Sequence, residues 1–441
     1  MPKPLNRLAQ ELNDTLSNSP LAEMLSVRGK RMFFPFAGIL GQSAEAAKSS
    51  TINATIGTAF EEDGSPLCLE CAEAVVNLPS TAFLYAPSFG LPALCQTWHK
   101  MLKEKNKASL AGKTFSSPVA TSALTHGLSV AGYLFASAGD EIIVPDLFWD
   151  NYELIFEESC GAALTKFQMF TDDNTAFNAA AMEKLLMGGG DKKIVILNFP
   201  NNPTGYTATL ADEEATCAAL ARAAEAGKKI VVILDDAYFG LVYEPGVSKE
   251  SMFGRLMDLH PNILVVKLDG PTKEDYVWGA RVGFITFGAK GATEEHYKAL
   301  VAKAAGVVRG SISNVSSIGQ HLLRKVYEES NAETYKRQKQ EKYETLKRRY
   351  DHIKVILAEH KEYAASFAAM PFNSGYFMCV KPVGVDPEAL RKYLLATKGV
   401  GVIVLSGLIR IAFSTVALEK LDKLFASIHE AVQELRAAPT A

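Results

Sequence analysis

Short apolar runs, separated by turn-forming or acidic positions, recur through the middle of the chain. They are residues 141–145, 193–198, 230–235, 263–267 and 282–286. Within each run the apolar residues are continuous, which is typical of strands buried on both faces of a parallel sheet. Helical segments separate several of these runs, and residues 211–227 form the clearest of them, with Gly227 as the predicted C-cap. The alternation predicts an α/β fold, an α/β/α sandwich around a mostly parallel sheet.

The pattern changes after about Gly319. Residues 335–360 read as one long charged helix, which precedes strand-like residues 376–380 and 409–413 and an amphipathic helix over 417–436. We therefore place a boundary near residues 315–335. The predicted divisions are an N-terminal arm with part of a small domain (1–70), a large domain (71–325) and a smaller C-terminal α+β domain (326–441).

Composition and charge narrow the class of protein. The 441 residues suffice for two or three domains, and 48% hydrophobic with 22% charged residues is typical of a globular protein. A net charge of −3 gives no electrostatic indication of a nucleic-acid or membrane partner. No run reaches the roughly 18 apolar residues of a membrane span, and the first residues lack a signal-peptide pattern. These features predict a cytoplasmic protein.

The cysteines and histidines do not predict a metal site. Cys68 and Cys71 form a C-x-x-C pattern, but a second ligand pair is missing and no histidine lies at zinc-site spacing. We expect both residues to be incidental, partly buried thiols. A metal-dependent mechanism is therefore not predicted.

Four polar segments fall in order at one edge of the predicted sheet. They are residues 198–205, 235–238, 270–273 and 279–283. Each is predicted to lie at the carboxyl end of a strand or in the loop that follows, where open α/β sheets bind ligands. Taken singly, they could be a turn, a helix cap, a surface lysine and an ion pair. Their order and shared edge instead favour one common site.

This combination resembles the class I and II aminotransferases, the fold type I enzymes that use pyridoxal 5′-phosphate (PLP). The resemblance implies that Lys273 is the catalytic Schiff-base lysine, since its amine can bond to the cofactor aldehyde and later move protons. It implies that Asp235 keeps the ring nitrogen protonated. Tyr238 and Asn202 match the residues that bind the ring's phenolate oxygen, and Arg281 matches the phosphate-binding arginine.

The resemblance extends from about Asn53 to the C-terminal helix and implies further cofactor-binding residues. Trp149 matches the aromatic residue that stacks on the cofactor. Leu124 and Thr125 fall in the phosphate cup, where Thr125 is predicted to open a helix over 125–135, and Thr272 is a further possible phosphate donor. Tyr85 matches the tyrosine that reaches the phosphate of a neighbouring subunit, which implies a homodimer with shared active sites.

Substrate-binding residues are implied in the same way. Arg410 matches the arginine that binds the substrate α-carboxylate, beside the backbone of Gly57 and the side chain of Asn202. Arg309 matches the arginine with which aspartate aminotransferases hold the side-chain carboxylate, which implies aspartate or glutamate as a substrate. An ordinary ion pair at the domain boundary is the alternative for Arg309. Val315-Ser316 also stands where those enzymes usually have two prolines.

The phosphate-binding part departs from the family pattern. Ala123-Leu124-Thr125 replaces the usual Ser-Gly-Thr, and Gly270 stands where the family has Ser or Thr. Two side-chain donors are therefore missing. We expect any consequence to fall on phosphate affinity, with His126 as a possible substitute donor.

The predicted function is transfer of an amino group between an amino acid and a 2-oxo acid, by a ping-pong mechanism through pyridoxamine phosphate. Another PLP reaction on the same fold, that of a lyase, decarboxylase or cyclopropane-forming synthase, is the first alternative. The ligand-sensing domain of a PLP-dependent transcription regulator is the second. Only about 50 residues precede the first matching segment, which argues against that second alternative.

Overall fold

The structure is a computed structural model that describes residues 4–17, 19, 21–35 and 38–437. Its α-helices are α1 (Arg7–Leu16), α2 (Leu21–Met24), α3 (Val27–Arg31), α4 (Ile39–Ser49), α5 (Glu70–Glu73), α6 (Pro92–Lys105), α7 (Ala123–Phe135), α8 (Ala179–Met187), α9 (Leu210–Glu225), α10 (Phe253–Leu256), α11 (Pro271–Glu274), α12 (Glu294–Ser311), α13 (Ser317–Val326), α14 (Ala332–Glu359), α15 (Pro387–Tyr393) and α16 (Leu421–Ala437). Its strands are β1 (Ile52–Asn53), β2 (Val119–Thr121), β3 (Glu141–Pro145), β4 (Ala163–Phe167), β5 (Lys192–Asn198), β6 (Lys229–Asp235), β7 (Ile263–Asp269), β8 (Gly283–Ala289), β9 (Phe367–Ala369), β10 (Phe377–Pro382), β11 (Val400–Gly401), β12 (Ile403–Leu405) and β13 (Leu408–Ala412).

A seven-stranded sheet in the order β2-β8-β7-β6-β5-β3-β4 forms the centre of the molecule. Strands β4, β3, β5, β6 and β7 run parallel to one another, and Asn198 pairs in register with Asp235. Since parallel strands end at the same edge, the loops after β5, β6 and β7 meet there. The predicted α/β sandwich with a mostly parallel sheet is confirmed.

Successive residues of the buried strands belong to two different hydrophobic clusters. Ile194 and Ile196 pack in one cluster, whereas Val195 and Leu197 pack in the other. Because side chains alternate across a strand, each face of the sheet needs its own apolar set. This is the physical reason for the continuous apolar runs in the sequence.

Strand β8 corrects one detail of the predicted sheet. Residues 282–286 were expected to run parallel to the others, but β8 is antiparallel to both β7 and β2. Between β7 and β8 the chain contains only the four-residue α11 and a single 3₁₀ turn, too little helix to return it to the opposite edge. Strand β8 therefore starts at the edge where β7 ends, and Arg281 lies before the strand instead of after one.

Several helix limits also differ from prediction. Helix α7 begins at Ala123, two residues before Thr125, so Thr125 lies within the first turn and does not open it. Helix α9 begins at Leu210 because Thr209 and Asp212 form a capping box. The long charged helix spans 332–359 instead of 335–360. The C-terminal helix begins at Leu421, after a short 3₁₀ turn at 418–420.

The C-terminal part contains a four-stranded antiparallel sheet in the order β12-β13-β10-β9. Strand β1 pairs with β11, so residues near 52 join this part of the chain. That pairing is consistent with the proposed small domain of residues 1–70 and 326–441, whose limits stay a prediction.

Gly205 connects the turn after β5 to this smaller sheet. Its φ of +71° lies in the left-handed region, and a Cβ atom there would collide with the carbonyl oxygen of Phe377. The carbonyl of Gly205 accepts the N–H groups of Asn373 and Ser374, both at 2.9 Å. Only glycine fits at this position.

Two features are absent from the described ranges. None of their helices is long and apolar enough to cross a membrane. The same residues contain no group of three or more His, Cys, Asp or Glu side chains placed to hold a metal ion.

Candidate active site

A cavity of about 190 Å³ opens at the edge where β5, β6 and β7 end. We call it the edge cavity. It is lined by Ile39, Gly57, Ala123, Leu124, Thr125, Trp149, Asn198, Asn202, Asp235, Ala237, Tyr238, Thr272, Lys273, Arg281, Phe377 and Arg410. All the site residues predicted from sequence are among them except Tyr85 and Arg309.

Asp235 is the last residue of β6 and is buried at the base of the edge cavity. The Tyr152 hydroxyl donates to Asp235 Oδ2 at 2.6 Å, and the Ala237 N–H donates to Oδ1 at 3.2 Å. Burial raises the pKa of Asp235, while the Tyr152 hydrogen bond and the charge of Lys273 oppose that rise. A cationic group in the cavity would therefore stabilise its ionised form.

Asn198, the last residue of β5, holds two neighbouring loops together. Its Nδ2 donates to the carbonyl of Asp235 at 2.7 Å, and its Oδ1 accepts the N–H of Asn202 at 2.8 Å. These bonds fix Asn202 beside Asp235. Sequence reasoning assigned no individual role to Asn198 or to Tyr152, although Tyr152 lies only three residues after Trp149.

Lys273 lies on the short helix α11 and extends into the edge cavity. Its Nζ is 5.1 Å from the centroid of the Tyr238 ring, and its carbonyl accepts the Tyr376 hydroxyl at 3.1 Å. Burial lowers the pKa of Lys273 to about 8; the charge of Asp235 opposes this change and that of Arg281 adds to it. A substantial fraction of this amine is neutral near pH 8, as a nucleophile or base requires.

Arg410, on β13, is buried at the other side of the edge cavity. Its Nη1 donates to Asn202 Oδ1 at 2.9 Å and its Nη2 donates to the Thr55 carbonyl at 2.8 Å. The guanidinium carbon lies 4.4 Å from the centroid of the Phe377 ring. Its Nε is buried without a hydrogen-bond partner among the described residues, and each Nη carries a second N–H, so the guanidinium keeps donors for a ligand. Gly57 lies close to the Phe377 ring in the same cavity, because a Cβ atom on Gly57 would be 3.4 Å from Phe377 Cζ.

The altered phosphate cup has a steric explanation. A Cβ atom on Gly270 would lie 2.8 Å from the Cα of Gly283 and 3.4 Å from Leu124 Cδ1. Ser or Thr would not fit at residue 270 because the backbone of Gly283 lies too close, whereas Leu124 is at an ordinary van der Waals distance. Thr272 lies nearby, and its Oγ1 is buried without a hydrogen-bond partner in the described part of the chain. This hydroxyl can replace one of the missing donors.

Arg281 and His126 differ in their orientation towards the edge cavity. Arg281 adopts a left-handed backbone conformation with φ +49° and lines the edge cavity, where its Nη1 donates to the Trp278 carbonyl at 3.3 Å. His126 does not line the cavity. Its Nδ1 accepts the Ser122 N–H at 3.1 Å and its Nε2 lies 3.1 Å from Ser311 Oγ. His126 therefore positions the start of α7 instead of replacing a donor of the cup.

Tyr85 and Arg309 lie outside the edge cavity, on one exposed face. Tyr85 is 93% exposed, beside the exposed Phe83 and Leu84. Arg309 Nη1 donates to Ser313 Oγ at 2.7 Å, and Ser88 Oγ donates to the Ser313 carbonyl at 2.7 Å. Ser313 thus connects the Tyr85 loop to the end of α12. We call Phe83, Leu84, Tyr85 and Arg309 the Tyr85 face.

Comparison with known proteins agrees with this geometry. The chain belongs to the family "Aminotransferase class I and II", whose sequence profile matches residues 53–428. The resemblance inferred from the motifs is confirmed.

The sequence identity to individual relatives is low. The chain is 29% identical over 202 residues to a probable N-acetyl-LL-diaminopimelate aminotransferase of Bacillus subtilis, covering 46% of this chain and 47% of that protein. It is 25% identical over 282 residues to an aspartate aminotransferase of Thermotoga maritima, covering 63% and 67%. The matched region therefore spans about half the length of the first relative. An aminotransferase structure from Anaerococcus prevotii shares the fold with a TM-score of 0.82 at 23% identity, covering 93% of this chain and 99% of that one.

The residues of the edge cavity fit PLP, the cofactor of this family. The buried, unpartnered Thr272 Oγ1 offers a donor beside the phosphate cup. The amine of Lys273 has a lowered pKa, and the carboxylate of Asp235 lies in the same cavity. The donor set therefore matches an anionic, ring-containing cofactor that carries a basic nitrogen and an aldehyde.

Proposed function

We propose that this protein is a PLP-dependent aminotransferase that moves an amino group between an amino acid and a 2-oxo acid. One observation carries the proposal: Asp235, Lys273 and Arg410 line a single cavity. Asp235 and Arg410 are 175 positions apart in the chain. A lysine, a carboxylate and a buried guanidinium are the groups that this reaction needs on one side of the sheet. The family membership of the chain supports the same assignment.

Arg410 is the proposed binding group for the substrate α-carboxylate. Asn202 Oδ1 and the Thr55 carbonyl hold its Nη1 and Nη2, so the guanidinium is already oriented before a ligand arrives. A planar fork of this kind binds carboxylates with defined geometry. Orientation at Arg410 fixes the position of the substrate α-carbon relative to Lys273.

Lys273 is the proposed covalent attachment point and proton carrier. Bound PLP supplies an electron sink that makes the substrate α-proton acidic. The neutral Lys273 Nζ would accept that proton and hold it for return, a role that its lowered pKa favours. Asp235 would hold the ring nitrogen protonated, and Tyr152 keeps the Asp235 carboxylate in place.

A homodimer with shared active sites is the second part of the proposal. The Tyr85 face combines large exposed apolar side chains with a cation, which is typical of a protein–protein interface. If a second copy covers this face, Tyr85 and Arg309 of one copy serve the edge cavity of the other. Mixing inactive Lys273→Ala and Tyr85→Ala chains should then restore part of the activity. An active species that sediments as a monomer would exclude this arrangement.

Arg309 further suggests that aspartate or glutamate is a substrate. Its guanidinium lies on the Tyr85 face, where it would meet the partner's cavity and bind a second carboxylate. A cytoplasmic location also stays a prediction.

The decisive experiment mixes the PLP-loaded enzyme with each of the twenty amino acids and follows its visible absorbance. A donor should bleach the cofactor band and yield one 2-oxo acid per site, with pyridoxamine phosphate as the second product. Release of ammonia or carbon dioxide without pyridoxamine phosphate would contradict transamination and indicate a lyase or decarboxylase.

A further inference from the structure

A second cavity, of about 810 Å³, lies behind the edge cavity. Its walls are the end of α6, the segment 239–242 after β6 and the first half of α14. Its volume falls within the range of small-molecule sites, about 300–1,000 Å³. None of the roles proposed above uses it.

The two cavities share their dividing wall. Tyr238 lines the edge cavity and the next residue, Phe239, lines the second cavity. In the same way, Lys273 lines the edge cavity and Glu274 lines the second one. Each pair is joined by one peptide bond, so a shift of Phe239 or Glu274 moves a residue of the proposed active site.

Glu274 is the charged centre of this wall. Its carboxylate is buried and lies 2.6 Å from Lys105 Nζ and 2.7 Å from Lys339 Nζ. Lys339 also pairs with Asp275 at 2.9 Å. Burial alone would raise the pKa of Glu274, but the two lysines outweigh it and hold the pKa low. Glu274 is therefore ionised and tied to two cations that also face the second cavity.

The other lining side chains indicate the chemistry of a ligand. Lysines outnumber glutamates in the wall, and Lys249 and Lys336 are exposed at its opening. Four aromatic rings also line it, those of Phe239, Tyr327, Tyr335 and Tyr343. Cations beside aromatic rings suit an organic anion with an apolar or aromatic body.

We propose that the second cavity is a regulatory site for an aromatic organic anion, and that its occupation is transmitted to Lys273 through Glu274. An anion in the cavity would compete with Glu274 for Lys105 and Lys339. Because Glu274 and Lys273 belong to the same four-residue helix α11, a displaced Glu274 carboxylate would shift the Lys273 amine.

The test uses 8-anilinonaphthalene-1-sulfonate, an aromatic anion that fluoresces on leaving water, with the PLP-loaded enzyme. We expect saturable binding of one probe per chain, which saturating succinate does not displace. The double charge reversal Lys249→Glu with Lys336→Glu should weaken binding roughly tenfold. The reversal of the exposed Lys303 on α12, Lys303→Glu, is the matched control and should leave the affinity unchanged.

The link to Lys273 has its own readout, the pH midpoint of the cofactor's visible band, which we expect the bound probe to shift. Binding with an unchanged midpoint would overturn the regulatory role. Displacement by succinate, an equal effect of the double reversal and of Lys303→Glu, or absence of binding would overturn the site itself. None of these outcomes depends on the enzyme being an aminotransferase, so failure here is distinct from failure of the proposed function.

Discussion

Asp235 lines the edge cavity and Arg309 lies outside it on the Tyr85 face, and the surroundings of the two residues differ sharply. Asp235 is buried, accepts hydrogen bonds from Tyr152 and Ala237, and ends a central strand. Arg309 is exposed at the end of α12, and its Nη1 donates to Ser313, four residues further along the chain. The groups proposed for the chemistry are thus fixed by one chain, whereas those proposed for selectivity face outward.

This contrast suggests that reaction and selectivity can be changed separately. Substitutions at the buried end remove bonds that the fold has already formed, so their effects should be large and independent of the substrate. The effects of substitutions on the Tyr85 face should depend on the substrate and on formation of the proposed homodimer. The following predictions test the contrast, from the largest expected effect to the smallest.

Lys273→Ala should abolish turnover with every amino donor, because the attachment point and the proton carrier are lost together. The protein should still fold, because the Lys273 side chain lines a cavity and is not part of the packed core. Borohydride reduction of the loaded wild-type enzyme, followed by peptide mapping, should find the cofactor on Lys273. Lys303→Ala is the control and should keep full activity. Cofactor on any other lysine would overturn the whole site assignment.

Asp235→Asn should lower kcat by about 10²–10³-fold for all donors while the cofactor still binds, because an amide cannot stabilise a protonated ring nitrogen. The neighbouring Asp236 is the control. Its carboxylate pairs with the buried Lys267 and accepts the Ser251 hydroxyl at 2.6 Å. Asp236→Asn should therefore lower the free energy of unfolding, by about 3–5 kcal/mol, more than it alters the chemistry. If Asp236→Asn lowered kcat more than Asp235→Asn does, the role of stabilising the ring nitrogen would have to be assigned to Asp236.

Arg309→Leu should reduce kcat/KM for aspartate and glutamate by about 10–100-fold, the value of a charge-assisted hydrogen bond to a carboxylate. Alanine and aromatic donors should lose little. Steady-state kinetics with all three classes provide the measurement. An equal loss for every donor would mean that Arg309 is structural, and the substrate class would then be unassigned.

Tyr152→Phe should reduce kcat about tenfold, because it removes one hydrogen bond to the buried Asp235 carboxylate. A positioning role predicts that the pH dependence of the cofactor's visible band also moves. Tyr133→Phe, at an exposed position of α7, should change neither quantity. Loss of stability with an unchanged pH profile would leave Tyr152 a packing residue only.

Capture of PLP by the cofactor-free protein should accelerate as pH rises through about 8, the lowered pKa of Lys273. The sign follows from the amine, which is protonated and unreactive below its pKa and neutral above it. From about pH 7.5 to about pH 8.5 the neutral fraction increases roughly threefold. Because the charge of Asp235 raises the pKa of Lys273, Asp235→Asn should move the midpoint to lower pH. A midpoint near the ordinary lysine value would contradict a buried amine.

The sequence predicted the central strands well because their apolar runs serve both faces of the sheet. Predicted residues 141–145 and 193–198 correspond to β3 and to β5 within one residue. Strand β4 was missed since it lies at the edge of the sheet and only Phe167 among its residues is fully buried. The direction of β8 was missed because it depends on the length of the connection and not on the composition of the strand.

The site was predictable where chemistry restricts the residue type. The sequence pointed to Lys273, Asp235, Arg281 and Arg410, and all four line the edge cavity; the roles proposed for them stay predictions. Tyr152 and Asn198 act through other residues, and neither carries a motif of its own. The close approach of the Gly283 backbone to Gly270, which excludes Ser or Thr at residue 270, appears only in three dimensions.

The crowding at Gly205 has a consequence for protein engineering. A library that randomises residues 198–207 to alter the substrate range would lose most of its members to misfolding, because the turn is locked against Phe377, Asn373 and Ser374. Ile39 reaches the edge cavity from outside both sheets, at the start of α4. Diversity introduced at Ile39 and Arg309 would leave that locked turn intact, so these two positions are the better starting points for directed evolution.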